Sequence, residues 1–207
     1  MIRFNITIFS YKIIKTLWSY FYCTVTTLLT KLFFTLNGIQ YKKGLHSSGI
    51  PILHLSLHAQ CQIGEYFTLG NWLRNNASGL NAHCKIEVRN KGILQIGSHT
   101  GMTATTIVCY NHIIIEDYVK IGVGTHIYDT NFHNINPINR LTGDSITTVR
   151  TAPIHIKKNV FIGAFCIILK GVIIGENSVI AAGSVVVNNI PPNEIWGGNP
   201  ARFIKKV

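Results

Sequence analysis

Histidine and cysteine are the side chains best able to do chemistry near neutral pH, and this chain holds nine of the first and five of the second. Most can be set aside. The cysteines are scattered, with no CxxC pair, and read as reduced thiols of a cytosolic compartment. Cys84, Cys109 and Cys166 suit interior or corner positions as small hydrophobes. His46, His54, His58, His83, His99 and His155 have no metal-ligand spacing to one another and read as surface or turn residues. No Ser-His-Asp order, phosphate-binding glycine loop or dinucleotide fingerprint is present. Asp129 and His133 stand four residues apart in Ile127-Tyr-Asp-Thr-Asn-Phe-His133. An imidazole can take a proton near pH 7, and a carboxylate beside it can fix its tautomer. A cationic group of Arg202, Lys205 and Lys206 closes the chain and could meet an anionic ligand.

Those residues must be held by something, and the element that holds them is a repeat. An aliphatic residue returns every six positions at Ile156, Ile162, Ile168, Ile174, Ile180 and Val186. Gly163, Gly175 and Ala181 follow members of that column, and Val160, Cys166, Val172, Ser178 and Ser184 form a second column four places on. Ile115, Ile121 and Ile127 keep the same phase, and Ile96 and Met102 begin that run one residue out of register. Leu57, Ile63 and Leu69 form a fainter set. A period of six fits neither a helix stripe nor one long strand. It fits a short strand and a tight turn, three to a triangular coil of eighteen residues, with each aliphatic residue pointing into a prism. The rhythm breaks between Ile127 and Ile154, in a polar segment with two prolines and two arginines. A break of that length inside a compact repeat is usually functional. It must leave the prism and return, and His133 stands near its start.

Composition agrees with one such domain plus an appendage. The 207 residues are 47% hydrophobic and only 13% charged, with a mean hydropathy of +0.26, which excludes a disordered chain. The net charge is +11, and no acidic residue precedes Glu65. Nucleic acid is the weakest partner for that charge, because no zinc-finger, RRM or basic-helix pattern accompanies it. Residues 1–45 differ in kind. Ile14, Trp18, Phe21, Val25, Leu28 and Leu32 follow the spacing of one helix face. The uncharged stretch from Thr16 to Thr30 is shorter than the ~20 residues that span a bilayer. The segment is therefore expected either to cap the open end of the solenoid or to lie in a membrane interface. The solenoid is expected over residues 46–207, with the extruded loop at about 130–153.

The hexapeptide runs, the segment from Ile127 to His133, Thr151-Ala-Pro-Ile, and the ending from Ile190 to Lys206 resemble the left-handed β-helix acyltransferases. The likeness is to the bacterial sugar and surface-polysaccharide O-acetyltransferases, and it runs from about Leu57 to Val207. It implies a left-handed parallel β-helix with an extruded loop and a short C-terminal helix, so that with the N-terminal helical segment read from its spacing the fold class is an all-β solenoid with a helical appendage. It also implies a homotrimer with sites between subunits. By this resemblance His133 is the general base, and a sugar hydroxyl attacks acetyl coenzyme A directly, without an acyl-enzyme. Asp129 could orient the imidazole. Ala164 and Ala182 fall where the family presents backbone groups to the pantetheine arm, and Phe161 falls where relatives often carry Trp. Arg202 and Lys205 match basic positions that serve the cofactor phosphates, with Lys205 lacking the fork of an arginine. Val187 stands where some relatives have a hydroxyl. Tyr110 and Asn111, about one coil before the loop, could line the acceptor side.

Three other readings stay open at this point. A γ-type carbonic anhydrase uses the same prism with a zinc held by three histidines, for which His99, His126 and His133 are the candidates. Their spacing is not that family's. A xenobiotic O-acetyltransferase and a non-catalytic β-helix scaffold are the others. The expected location is cytoplasmic, with residues 1–45 in peripheral contact with the inner face of the cell membrane if they are not a cap.

Overall fold

A strand of two to four residues cannot hold a sheet alone, so each must pair with the strand one coil above and one coil below. The computed structural model describes residues 6–71, 82–141, 143 and 149–207, and it shows that stacking on three faces. The first face carries Gln40–Tyr41, Gln60–Ile63, Ile93–Ile96, His112–Ile115, Ile154–Ile156 and Ile173–Ile174. The second carries His46–Ser48, Thr68–Gly70, Gly101–Thr103, Lys120–Ile121, Phe161–Ile162 and Val179–Ile180, and is finished by Glu194–Gly197 and Arg202–Lys206. The third carries Ile52–Leu55, Lys85–Val88, Thr106–Cys109, His126–Tyr128, Ile167–Leu169 and Val185–Val186. All named pairs are parallel except the last on the second face.

The six-residue column is the core. Ile115 pairs with Ile156 and Ile156 with Ile174; Ile121 pairs with Ile162 and Ile162 with Ile180; Ile127 pairs with Ile168 and Ile168 with Val186. All nine are buried, as are Val160, Cys166, Val172, Ser178 and Ser184 of the second column. Each such aliphatic side chain is worth about 1.5–3 kcal/mol of burial. The fainter early set needs one correction. Ile63 and Leu69 are buried, but Leu57 is 92% exposed on a turn, and the coil is filled by Cys61 and Phe67 instead.

A third column was not read from the sequence. At the corner between the first and second faces, Tyr66, His99, Tyr118, Asn159, Asn177 and Asn193 all take left-handed backbone, with φ between 54° and 62°. The early coils fill this position with a ring stack, Tyr66 on His99 at 4.9 Å and His99 on Tyr118 at 4.8 Å. The late coils fill it with an amide ladder, Asn159 donating to Asn177 at 3.1 Å and Asn177 to Asn193 at 2.9 Å. Asn is the residue that tolerates this conformation best after Gly.

The N-terminal segment forms one helix, α1, at Ile6–Leu36. It docks on the edge strand His46–Ser48 through a ridge of small and polar side chains. Thr26 Oγ1 donates to Ser47 C=O at 2.7 Å, Ser47 N–H donates to Thr27 Oγ1 at 2.9 Å, and Gly49 N–H to Thr26 Oγ1 at 3.1 Å. Thr26, Thr30 and Phe34 are buried there. Side-chain hydroxyls thus occupy backbone groups that an open sheet edge would leave unpaired. The apolar face expected of this helix, Ile14 to Leu32, is turned away from the solenoid and exposed. Among the described residues no helix is long and apolar enough to cross a membrane.

The C-terminal helix is not present. Glu194–Gly197 extends the second face by pairing with Val179–Ile180, and after Gly-Asn-Pro the chain returns antiparallel as Arg202–Lys206. Gly198 at φ +100° and Pro200 at the turn reverse the chain, and the sheet edge supplies partners that a helix would forgo.

Candidate active site

The loop leaves the prism at the corner between the third and first faces, after His126–Tyr128, and re-enters at Ile154–Ile156. Its neck is fastened at several points. Thr130 and Thr151 form an antiparallel bridge, Asn131 N–H donates to Arg150 C=O at 3.2 Å, and Ala152 N–H donates to Asp129 C=O at 3.0 Å. Residues 142 and 144–148 of the expected loop lie outside the described residues; a short helix, α2, spans Pro137–Leu141 within it.

Asp129 is fully buried at this neck. One carboxylate oxygen accepts from Tyr110 N–H and the other from Asn111 N–H, each at 2.7 Å. Burial pushes its carboxyl above the ordinary range, against the pull of these amides and of the Cys109 thiol. The sequence expectation sets this carboxylate against the His133 ring. In the structure both oxygens meet the corner, because Asp129 closes the strand His126–Tyr128 where the coil below presents two backbone amides. Asp129 therefore ties the root of the loop to the turn that holds Tyr110 and Asn111. Asn111 Nδ2 completes the tie by donating to Thr151 Oγ1 at 3.2 Å.

His133 stands four residues out on this braced root, exposed, with its N–H donating to Asn131 C=O at 2.7 Å. Phe132 before it is left-handed, at φ +62°, and packs edge-on against Tyr128 at 5.1 Å and against Tyr110 at 6.4 Å. Tyr128 in turn meets His126 Nδ1 at 2.7 Å through its hydroxyl. Tyr110, Asn111 and Asp129 meet at one corner, and His133 follows four residues after Asp129 on the same root. Tyr128, Thr130, Phe132 and Thr151 were missed; the aromatic residues flanking Asp-Thr in the motif were the available signal.

The residues assigned to the cofactor lie elsewhere on the prism. On the second face Lys120, Phe161, Val179, Ile195 and Lys205 fall in one line of register partners, with Phe161 half-exposed and Lys205 exposed. Arg202 is exposed on the same last strand. Ala164 and Ala182 stack eighteen residues apart at the corner between the second and third faces, where Gly183 N–H donates to Ala164 C=O at 2.8 Å. Close stacking there demands glycine. A Cβ at Gly122 would lie 2.5 Å from Ala164 N, and one at Gly163 would lie 2.6 Å from Ala182 N. Val187 is exposed on the third face side. The loop corner and the alanine corner bound the two ends of the third face.

The three histidines weighed for zinc are dispersed. His99 is stacked between Tyr66 and Tyr118, and His126 is engaged with Tyr128. Among the described residues no three metal-binding side chains form a cluster.

The repeat and the prism define the class. Residues 153–188 match the family described as bacterial transferase hexapeptide (six repeats), and the chain has the left-handed parallel β-helix fold. The hexapeptide-repeat acetyltransferase VCA0836 of Vibrio cholerae, solved with acetyl coenzyme A, is 32% identical, covers 61% of this chain and 64% of its own, and superposes with a TM-score of 0.51. A Schizosaccharomyces pombe protein assigned by name to the acetyltransferases is 54% identical over 108 residues, 52% of this chain and 47% of its own. The mitochondrial gamma carbonic anhydrase 2 of Arabidopsis thaliana is 35% identical over 101 residues, 43% of this chain and 36% of its own. The chain therefore spans between about a third and a half of the length of these two relatives.

Proposed function

We propose that this chain is an acetyl coenzyme A-dependent O-acetyltransferase acting on a sugar hydroxyl, with His133 as the general base. The observation that carries the reading is the braced neck. The break in the repeat is fixed to the coil below by Asp129 and Asn111, and it sets an exposed imidazole just beyond the prism. A sugar hydroxyl has a pKa far above neutrality, so its attack on a thioester needs a base at the oxygen. The hydroxyl oxygen bonds to the acetyl carbonyl carbon as His133 takes its proton. The carbon–sulfur bond then breaks, and the proton passes to the departing thiolate.

The alanine corner and the second face support the donor. Ala164 and Ala182 leave backbone groups open to an amide chain, Phe161 offers an apolar surface, and Arg202 and Lys205 offer charge to phosphates. The solved neighbour that holds acetyl coenzyme A supports the same choice of donor. Since the base corner and the donor corner lie on two sides of the third face, a ligand touching both fits best between neighbouring chains. This is the homotrimer we propose, with three shared sites. Tyr110 and Asn111 line the acceptor side, and a surface glycan or its precursor is the acceptor class that the sequence resemblance favours. Four buried free thiols suit a cytoplasmic setting.

The test is release of coenzyme A against a panel of sugars, nucleotide sugars and glycolipids. His133→Ala should lower kcat about 10²–10⁴-fold while calorimetry still detects coenzyme A binding. Undiminished turnover in that variant overturns the base, and no binding of coenzyme A by the parent protein overturns the class. The Arabidopsis relative keeps a carbonic anhydrase as the second reading, and stoichiometric zinc in the purified protein would favour it.

A further inference from the structure

The geometry points to α1 as a two-faced device, and we propose that its outward face seats the protein on an anionic phospholipid bilayer. The solenoid uses the threonine ridge of this helix, Thr26, Thr27 and Thr30, through bonds to Ser47 and Gly49. Opposite that ridge, Ile14, Trp18, Phe21, Val25, Leu28 and Leu32 form one stripe, each more than a third exposed. The stripe is about 27 Å long at 1.5 Å per residue. Trp18 and Phe21 pack together on it at 5.9 Å. A contiguous apolar surface of that extent is rarely left to water.

Charge selects the occupant. The helix has no acidic residue, and none occurs anywhere before Glu65. Lys15 and Lys31 lie at about 100° on either side of the stripe, the positions from which long cationic side chains reach headgroups while apolar neighbours enter the acyl boundary. A second copy of this helix would bring more positive charge and no acid to pair with it, whereas an anionic lipid surface complements it. The solenoid holds the opposite side of the helix. Cap and membrane contact, which the sequence sets against each other, thus belong to two faces of one helix.

The full-length chain is sedimented with vesicles of phosphatidylcholine alone and with vesicles in which a third of the lipid is phosphatidylglycerol. Binding should be at least about tenfold stronger to the second and should weaken with salt. The double variant Trp18→Glu with Phe21→Glu should lose about tenfold or more of that binding, with its mass in solution and its melting temperature unchanged. The milder Phe21→Ser should lose a smaller share with the helical content intact. A parent chain that stays in the supernatant with both vesicles overturns the proposal. So does a double variant whose mass in solution falls, because the stripe then covers another copy. Neither readout depends on acyl transfer.

Discussion

Two corners of the same prism are built on opposite principles. The corner between the second and third faces is the most regular part of the chain: Gly122, Gly163, Ala164 and Ala182 stack backbone on backbone, with no room for a Cβ at either glycine. The corner between the third and first faces is the least regular. There a buried carboxylate, two of its accepted amides, three aromatic rings and a threonine bridge hold the root of a long excursion. Regular stacking presents backbone to a ligand, whereas irregular packing fixes one side chain in space. A group transfer needs both, a surface along which to lay the donor and a point at which to take a proton.

The irregular corner should be the more sensitive. Asp129→Asn keeps the shape but replaces one accepting oxygen with an amide NH2 that donates toward a backbone N–H, so kcat should fall about tenfold or more as the root loosens. Because Asp129 acts through the loop, the pH–rate profile of the residual activity should not shift; a displaced acidic limb would show the carboxylate coupled directly to His133. The same variant carries a stability signature. Burial raises the Asp129 carboxyl above its ordinary value, so the protonated form favours the fold. That contribution is present below the ordinary value and is lost as pH rises through the raised one. Melting temperature across that window should be flatter in Asp129→Asn than in the parent.

At the regular corner the effect should be smaller and mechanical. Gly163→Ala places a Cβ 2.6 Å from Ala182 N and 2.9 Å from Ala182 Cα. The coils must shift, at a cost of about 1–3 kcal/mol in urea denaturation. Coenzyme A affinity should fall with it while the pH–rate profile holds. Unchanged affinity would separate this corner from the donor.

Much of this was legible because a six-residue period leaves little freedom: the column from Ile156 to Val186 and its small-residue companion are buried as the spacing requires. The loop was legible as a loss of that period. Leu57 misled because its distance from Ile63 matches the repeat while its place on a turn does not. The apolar face of α1 was read correctly as a stripe, but periodicity does not say what covers a stripe, and threonine hydroxyls reaching Ser47 won the solenoid side. The left-handed corner column was invisible because one backbone demand is met by Tyr, His and Asn alike. The partner of Asp129 was invisible too, since its amides come from eighteen and nineteen residues upstream, one coil away.

Sharing of the site between chains is tested most directly by complementation. His133→Ala removes the proposed base, and Ala182→Trp blocks the proposed donor corner, so each alone should be nearly inactive. Coexpressed in equal amounts and assembled at random, they should regain about a quarter of the parental sites, those that draw the imidazole from one chain and the open corner from its neighbour. Verified mixed assemblies that remain as inactive as the separate variants would contradict the account.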